Sequence, residues 1–262
     1  MRRAAAAIAA TVLLLLGASA CESTGKKEMS SAEVMLQERM AAVLLREGRA
    51  PEAEKVYREI LPQDPKNPEV HDGLGAALLI QGKPKDAESS FDKAVDLAPD
   101  RALYLIHRAT ARIQRAKFSE AAQDLQQAEQ LGGPTDRFDI ALQWGELRQR
   151  MGEFAGAEVE YSKALTIGAQ DLFAAYFGRG VARESQGNFE GAAEDYLESV
   201  RLRQRSAEAN LRLGLALVQL RRVPLGRRYL ERTVELDPGG ESGERARILL
   251  DSIPATPPKG AS

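Results

Sequence analysis

Cysteine, histidine and tryptophan are nearly absent from this sequence of 262 residues, which contains one Cys, two His and one Trp. A single cysteine excludes an internal disulfide, and one cysteine with two histidines argues against a zinc site. Aromatic residues make up only 5%, so small residues must do most of the packing. Positive charge is not in excess, because 36 Lys and Arg face 38 Asp and Glu. This balance argues against nucleic acid as a partner.

What is present is typical of a folded chain, with 44% hydrophobic and 28% charged residues. The first twenty residues differ from the rest. Arg2 and Arg3 precede an uninterrupted apolar run, Ala4–Leu16, which leads through small residues to Cys21. A run of this length is short for a membrane span, which needs about 20 residues. The pattern predicts a secretory signal over residues 1–20.

Small residues that end in a cysteine at the close of such a signal resemble the bacterial lipoprotein lipobox. The resemblance implies that Cys21 is acylated and becomes the new amino terminus, with residues 21–33 as a flexible tether. Two alternatives remain open, namely ordinary signal-peptidase cleavage after Ala20 and an uncleaved membrane anchor. Loss of Arg2 and Arg3 leaves 34 basic against 38 acidic side chains, a net charge of −4. Attachment to a membrane must then come from covalent lipid on Cys21, the only attached group expected.

A motif of glycine, alanine and an aromatic residue recurs along the remaining chain. It occurs as Gly48…Ala53…Tyr57, Gly82…Ala87…Phe91, Gly152…Ala157…Tyr161 and Gly187…Ala192…Tyr196, with degenerate copies at Ala116…Ala121…Leu125 and Arg221…Gly226…Leu230. Positions 53, 87, 121, 157, 192 and 226 are separated by 34, 34, 36, 35 and 34 residues. A fixed period of this length predicts a repeated supersecondary unit.

Units can be drawn that begin at residues 34, 68, 102, 138, 173 and 207, and we number the positions in each unit from its first residue as places 1, 2, 3 and so on. Two of these places hold alanine or glycine in all six units. Place 8 is Ala41, Gly75, Ala109, Gly145, Gly180 and Gly214, and place 20 is Ala53, Ala87, Ala121, Ala157, Ala192 and Gly226. Only such small side chains let two helices approach closely, so these places predict a helix crossing. Gly48, Gly82, Gly152 and Gly187 are expected to end first helices in a left-handed conformation, and Pro51, Pro84 and Pro224 to open second helices.

Place 24 holds a larger apolar residue in every unit, and three units close on a proline: Tyr57, Phe91, Leu125, Tyr161, Tyr196 and Leu230 at place 24, and Pro65, Pro99 and Pro238 at the close. Together with the period and the small pair, these features resemble the tetratricopeptide repeat over residues 34–240. The resemblance implies an all-α fold, a right-handed superhelical solenoid of six helix pairs. The predicted units are 34–67, 68–101, 102–137, 138–172, 173–206 and 207–240. A last helix over 241–253, with Ala246, Ile248, Leu249, Leu250 and Ile253, is predicted to cap the stack, and 254–262 is predicted to be a disordered tail.

Repeats three and five share a charged pair. Arg108 and Arg179 stand at place 7, and Asp124 and Asp195 follow sixteen residues later. Because the two helices of a pair face each other there, we predict ion pairs within these repeats. A structural role is the expectation, and a functional charged pocket is the alternative.

The concave surface of a repeat solenoid is the predicted binding face. Places 2, 5, 9 and 12 of the first helices line it, and we call this surface the concave groove. The predicted contact residues are Ala42, Leu45, Asp72, Ala76, Leu79, Ile106, Thr110, Ile113, Leu142, Phe177, Val181, Leu211 and Leu215, with Glu146, Gln149 and Val218 beside them. This largely apolar track favours an amphipathic helix or an apolar strand. The alternative is that some of these side chains contact only adjacent repeats or the cap.

Motifs of catalysis are absent from the sequence. It contains no His-Glu-x-x-His, no Gly-x-Ser-x-Gly and no phosphate-binding loop. His71 and His107 stand at different places of their repeats, so they imply no shared metal site. We therefore predict that the protein is not an enzyme, holds no metal and takes no small-molecule substrate.

The lipidated cysteine, the six repeats and the length resemble the pilotin-type lipoproteins that assist outer-membrane assembly of type IV pilus secretins. The resemblance implies a lipid-anchored periplasmic scaffold whose partner is an envelope protein such as a secretin subunit. Glu22 after Cys21, rather than aspartate, favours the outer over the inner membrane. The alternative is an adaptor lipoprotein for peptidoglycan-remodelling or motility complexes.

Overall fold

The computed structural model describes residues 29–168 and 171–253. The predicted signal, Cys21, most of the tether and the predicted tail lie outside these residues. The described part of the chain contains thirteen helices: α1 Ser31–Arg46, α2 Ala50–Ile60, α3 Pro68–Ile80, α4 Pro84–Leu97, α5 Ala102–Gln114, α6 Phe118–Leu131, α7 Arg137–Arg150, α8 Phe154–Ile167, α9 Phe173–Ser185, α10 Phe189–Leu202, α11 Ala207–Gln219, α12 Val223–Leu236 and α13 Glu241–Ser252.

Each helix packs mainly on helices close to it in sequence. Among the described residues, extensive contacts join consecutive helices, and they also join α1 with α3, α3 with α5, α5 with α7, α7 with α9 and α11 with α13. These additional contacts involve the first helices of the pairs, whereas the second helices make no extensive contacts with one another. The first helices therefore form the inner layer of a curved stack. The predicted fold class, an all-α superhelical solenoid of six helix pairs with a capping helix, is confirmed.

The first helix of each pair ends in a left-handed residue. Gly48, Gly82, Gly152 and Gly187 have φ values of 76°, 71°, 79° and 79°. Ala116 and Arg221 take the same conformation in the two degenerate repeats, with φ values of 56° and 60°. A Cβ atom disfavours the left-handed conformation, so the backbone is strained at Ala116 and Arg221, which stand where the other four repeats have glycine.

Helix α1 begins earlier than the sequence analysis placed the first repeat. Ser30 caps it, since its side chain accepts from the Glu33 amide while the Glu33 carboxylate accepts from the Ser30 amide. This capping box satisfies two amides at the helix start. Residues 31–33, predicted as tether, are therefore helical.

Close crossings within a pair occur where place 8 is glycine. A Cβ at Gly145 would lie 2.6 Å from Cε1 of Tyr161, and one at Gly180 would lie 2.7 Å from Cε1 of Tyr196. The ring at place 24 thus occupies the space that a side chain at place 8 would need.

A second kind of close contact, between repeats, was missed by the sequence analysis. A Cβ at Gly73 would lie 2.2 Å from Cζ of Tyr57, and one at Gly178 would lie 2.4 Å from Cζ of Tyr161. Both glycines stand at place 6, in the repeat that follows the tyrosine. The sequence does contain a signal for this contact, because a glycine at place 6 follows a tyrosine at place 24 of the preceding repeat in both cases.

Helix α13 covers the end of the stack. Ala246 is buried with Leu211 and Leu230, and Leu249, Leu250 and Ile253 pack against this cluster, whereas Ile248 is 68% exposed. Arg227 Nη1 donates to the carbonyls of Leu250 and Ile253 at 3.2 and 3.0 Å, which ties down the end of α13.

Candidate partner-binding groove

The concave groove lies along the inner layer of first helices. Most of its predicted residues are partly exposed: Ala42, Leu45, Asp72, Ala76, Leu79, Thr110, Leu142, Phe177, Val181 and Leu215, together with Glu146, Gln149 and Val218. They stand on α1, α3, α5, α7, α9 and α11, so that successive repeats each contribute to one continuous face.

Three predicted groove residues are core residues instead. Ile106, Ile113 and Leu211 are 3%, 0% and 0% exposed. Ile106 packs in a cluster with Val95 of the preceding repeat, and Ile113 packs in a cluster with Leu147 of the following repeat. Leu211 packs beneath α13. For these three positions, the alternative of contacts with adjacent repeats or the cap is correct.

Burial of Ile106 and Ile113 divides the apolar surface into two parts. The N-terminal patch consists of Ala42, Leu45, Ala76 and Leu79, and the C-terminal patch consists of Leu142, Phe177, Val181 and Leu215. Polar contacts cross the region between them. His107 Nδ1 lies 2.7 Å from Asp72 Oδ1, and Thr110 Oγ1 donates to Gln143 Oε1 at 3.0 Å.

Acidic side chains accompany both patches. Glu38, Glu69, Asp139 and Glu146 stand on the first helices at places 5, 2, 2 and 9. Burial raises the pKa of the Glu38, Asp139 and Glu146 carboxyls, and the charges of Glu69 and Asp64 raise that of Glu38 further. A positive group placed beside them would stabilise their ionised forms.

His107 is the titratable group at the centre of the groove. Burial lowers the pKa of its imidazole, but the hydrogen bond to Asp72 and the charges of Asp72 and Asp139 outweigh burial, so that the pKa is raised. The ring also packs on Phe91, with 5.7 Å between the ring centroids. The sequence analysis noted this histidine but not its position in the groove.

Tyrosine hydroxyls approach the carboxylates of the groove. Tyr196 donates to Glu184 Oε2, and Tyr104 shares a hydrogen bond with Glu69. Burial, together with the charges of Glu38 and Asp72, raises the pKa of Tyr57 to about 12. These hydroxyls therefore stay protonated and act as hydrogen-bond donors.

Both predicted ion pairs are present behind the groove. Arg108 Nε and Nη2 lie 3.1 and 2.7 Å from the two oxygens of Asp124, and Arg179 Nε and Nη2 lie 2.9 and 2.7 Å from those of Asp195. The aspartates are each 2% exposed. Two-point contacts of this kind fix the relative positions of the two helices in a pair.

Each buried aspartate also has a second arginine, which the sequence analysis missed. Arg112 Nη1 lies 2.7 Å from Asp124 Oδ2, and Arg183 Nη1 lies 3.0 Å from Asp195 Oδ2. Arg112 also contacts Glu88 on α4, at 3.2 Å. The clusters therefore join neighbouring repeats.

The described residues contain no group of three or more His, Cys, Asp or Glu side chains that could hold a metal ion. No helix among them is both long and apolar enough to cross a bilayer.

Comparison with known proteins places most of the chain in one family. Models of the tetratricopeptide repeat match residues 34–77 and residues 73–136, 142–207 and 177–241. A search of curated proteins by sequence found no match.

Three solved structures illustrate the likeness in fold. PilW, described as a widely conserved type IV pilus biogenesis factor, has a TM-score of 0.70 and 16% identity over 84% of this chain and 100% of its own. Pseudomonas aeruginosa PilF has a TM-score of 0.64 and 18% identity over 82% of this chain and 97% of its own. For the Cut9–Hcn1 hetero-tetramer of the APC/C the TM-score is 0.73, with 16% identity over 84% of this chain, which spans only 42% of that chain.

The stacked helix pairs, the small residues at their crossings and the matched spans agree with one another along residues 34–241. The chain belongs to the tetratricopeptide-repeat family of protein-interaction scaffolds.

Proposed function

We propose that this protein is a lipid-anchored periplasmic scaffold that assists assembly or outer-membrane localisation of a type IV pilus secretin. The observation that supports a scaffold is the concave groove, with its two apolar patches and its accompanying carboxylates. The pilus role is supported by the resemblance to pilotin-type lipoproteins and by the similar extent of the repeat arrays of PilW and PilF.

The groove suits a partner segment with both apolar and basic side chains. The N-terminal and C-terminal patches supply apolar contact, while Glu38, Asp139 and Glu146 supply partly dehydrated negative charge. A basic side chain that binds between the patches would neutralise this charge, and it would lie next to the Asp72–His107 pair. An amphipathic helix or strand meets these requirements.

Photocrosslinking from inside the groove tests this binding mode. A photoreactive residue at Leu79 or at Val181 should capture a secretin subunit in isolated envelopes, because both side chains are partly exposed in the groove. The matched control is Val159, which is 59% exposed on α8 in the outer layer. Equal capture from Val159 would reject the groove as the binding face.

Introducing a negative charge into the groove tests the same binding mode by loss of binding. Leu79→Glu and Val181→Glu should each weaken secretin capture at least tenfold while the circular dichroism spectrum stays helical. Val159→Glu should leave capture unchanged. Ile113→Glu is unsuitable for this purpose, because Ile113 is fully buried and a charge there would disturb folding.

Lipid attachment is tested at the cysteine. Cys21→Ser should release the protein from membranes into the soluble periplasmic fraction, since three acyl chains hold a protein far more firmly than one. Recovery of the variant in the membrane fraction would reject lipid anchoring through this residue.

Deletion of the gene separates the two candidate roles. A pilotin-like protein predicts loss of the secretin multimer that resists SDS, together with loss of surface pili. A normal secretin multimer accompanied by altered cell-wall hydrolysis would reject the secretin role in favour of the adaptor.

A further inference from the structure

Glu146, on the groove face of α7, is a partly buried carboxylate without a counter-charge. Burial raises its pKa, and the charge of Arg150, four residues further along the helix, does not outweigh burial. Among the described residues, no basic group lies within salt-bridge distance of this carboxylate and no donor is bonded to it. Burial of a carboxylate costs free energy unless a donor or a cation accompanies it. Glu146 therefore has an unused capacity for a cationic donor.

Carboxylates buried elsewhere in the stack are paired with cations. Glu88 contacts Arg112 and Lys117 at 3.2 and 2.9 Å. Asp124 and Asp195 each contact two arginines. The carboxylate on α7 differs from these because it lies on the groove face, where a partner can supply the cation.

Two further polar groups beside Glu146 have no hydrogen-bond partner among the described residues. Gln149 Oε1, on the next turn of the same face of α7, is shielded from solvent and accepts no hydrogen bond. The Tyr161 hydroxyl donates to no described residue. Because Cζ of this tyrosine lies 2.4 Å from the Cβ position of Gly178, the hydroxyl lies at place 6 of α9. Burial and then the charge of Glu146 raise the pKa of Tyr161, so the two side chains are close to each other.

The next junction along the stack shows how a guanidinium fits such a place. Arg212, at place 6 of α11, has its Nη1 3.2 Å from Oε2 of Glu184, which stands at place 12 of α9. Tyr196, at place 24 between these two helices, donates to the same carboxylate. One repeat earlier, the residues at places 6, 12 and 24 are Gly178, Gln149 and Tyr161. That junction thus has the tyrosine and acceptor groups of this arrangement but no arginine of its own.

We propose that the junction between repeats four and five binds an arginine side chain of the partner segment. We call Glu146, Gln149 and Tyr161 the arginine site. The guanidinium pairs with the Glu146 carboxylate and donates to Gln149 Oε1, while its methylene stem packs on Leu142 and Phe177, which are partly exposed beside the site. A guanidinium suits the site better than an ammonium, because its planar fork of donors can bond several acceptors and can stack on an aromatic ring. The inference rests on the proposed role of the concave groove as the binding face.

Short peptides that contain no secretin sequence test the arginine site. Three blocked pentapeptides of alanine and leucine differ only in their central residue, which is arginine, lysine or citrulline, the neutral analogue of arginine. Their affinities for the full chain carrying Cys21→Ser are measured by NMR titration. The arginine peptide should bind roughly tenfold more tightly than the citrulline peptide, because only the former brings a charge to the partly buried carboxylate. The lysine peptide should bind with an affinity between the two.

A variant of Glu146 assigns this preference to the site. Glu146→Gln removes the charge and keeps the shape of the side chain, so it should abolish the preference for arginine over citrulline. Glu194→Gln is the matched control, because Glu194 is exposed on α10 in the outer layer and pairs with no described cation. This control should keep the preference, and the circular dichroism of both variants should match that of the unmodified chain.

Several results would overturn the proposal. Equal affinity for the arginine and citrulline peptides, or no binding of the arginine peptide at millimolar concentration, would refute the arginine site. An unchanged preference in Glu146→Gln would do the same. Equal affinity for the arginine and lysine peptides would refute recognition of the guanidinium.

The secretin proposal and the arginine site fail in different ways. If the peptides discriminate as expected while photocrosslinking from the groove captures no secretin, the arginine site stands and the secretin role fails. If Glu146→Gln captures a secretin as well as the unmodified chain does, the secretin role stands and the arginine site fails.

Discussion

Single residues decide the turns of this solenoid, and two of them carry a local cost. Ala116 and Arg221 hold the left-handed conformation that glycine holds at the corresponding turns of four other repeats. A left-handed L-residue costs roughly 1–2 kcal/mol. Part of that cost is offset because glycine loses more freedom on folding.

Replacement of these residues by glycine should therefore stabilise the protein. Ala116→Gly and Arg221→Gly are each expected to raise the free energy of unfolding of their repeat by about 0.5–1 kcal/mol, measured by thermal or urea unfolding. Gly82→Ala is the matched control, since it introduces the same strain at an equivalent turn and should destabilise. A lower melting temperature for Ala116→Gly would contradict the account.

His107 gives the fold a dependence on pH. Because its folded pKa is raised, it contributes stability that is fully present below the unfolded value near 6.5. That stability is lost as the pH rises through the folded pKa. The melting temperature should therefore fall as pH increases above about 6.5. His107→Gln should flatten this slope, and an unchanged slope in that variant would contradict the account.

At the scale of helices, close packing depends on glycine residues that leave room for a tyrosine ring of the neighbouring helix. Gly178 of α9 has Tyr161 of α8 against it, so close that a methyl group would overlap the ring. The same arrangement joins Gly73 and Tyr57. At these two junctions, the neighbouring repeats lie at a separation that glycine at place 6 allows.

Adding one methyl group at this contact should loosen the stack. Gly178→Ala is expected to destabilise the protein by about 1–3 kcal/mol, as over-packing does elsewhere. Gly239→Ala is the control, because no atom lies within 4 Å of the corresponding Cβ position. Tyr161→Leu in the Gly178→Ala background should recover part of the loss, measured by thermal unfolding.

The buried ion pairs hold helices in register through charge. Asp195→Ala would leave Arg179 and Arg183 without their shared carboxylate in a largely buried place. We expect a loss of about 3–5 kcal/mol. Glu198→Ala, which removes the partner of the exposed Arg201, should cost at most about 1 kcal/mol. Similar losses in the two variants would contradict a structural role for the buried pair.

The sequence was sufficient to predict the repeats, because their signals are local. Period, left-handed glycines and small residues at places 8 and 20 follow from backbone geometry within one unit. The exposure of groove residues was not predictable in the same way. Ile106 and Ile113 occupy groove places by number, yet neighbouring repeats close over them, and that depends on the side chains of other units. The second arginines, Arg112 and Arg183, escaped notice for the same reason.

At the scale of the whole molecule, the two ends of the stack differ. Helix α13 covers Leu211 and Leu230 at one end, whereas Leu36, Met40 and Val43 of α1 are 52%, 41% and 42% exposed at the other end. The cap is held by apolar contact and by Arg227, which donates to its last carbonyls.

Removal of the cap should unfold the end that it covers. A chain truncated after residue 240 is expected to lose hydrogen-exchange protection in α11 and α12, because Leu211 and Leu230 would face water. Protection in α3 and α4 should be unchanged, since contacts in the stack reach only nearby helices. Uniform loss of protection along the chain would contradict this nearest-neighbour description.

Contacts that reach only nearby helices also determine how the molecule responds to tension. A pull applied along the stack meets, among residues 29–168 and 171–253, no strand or helix that spans the array, so each pair resists only through its own interfaces. Extension should then proceed pair by pair, with repeated small force peaks in place of one large rupture. A molecule built in this way would yield gradually under load and recoil as the pairs fold again.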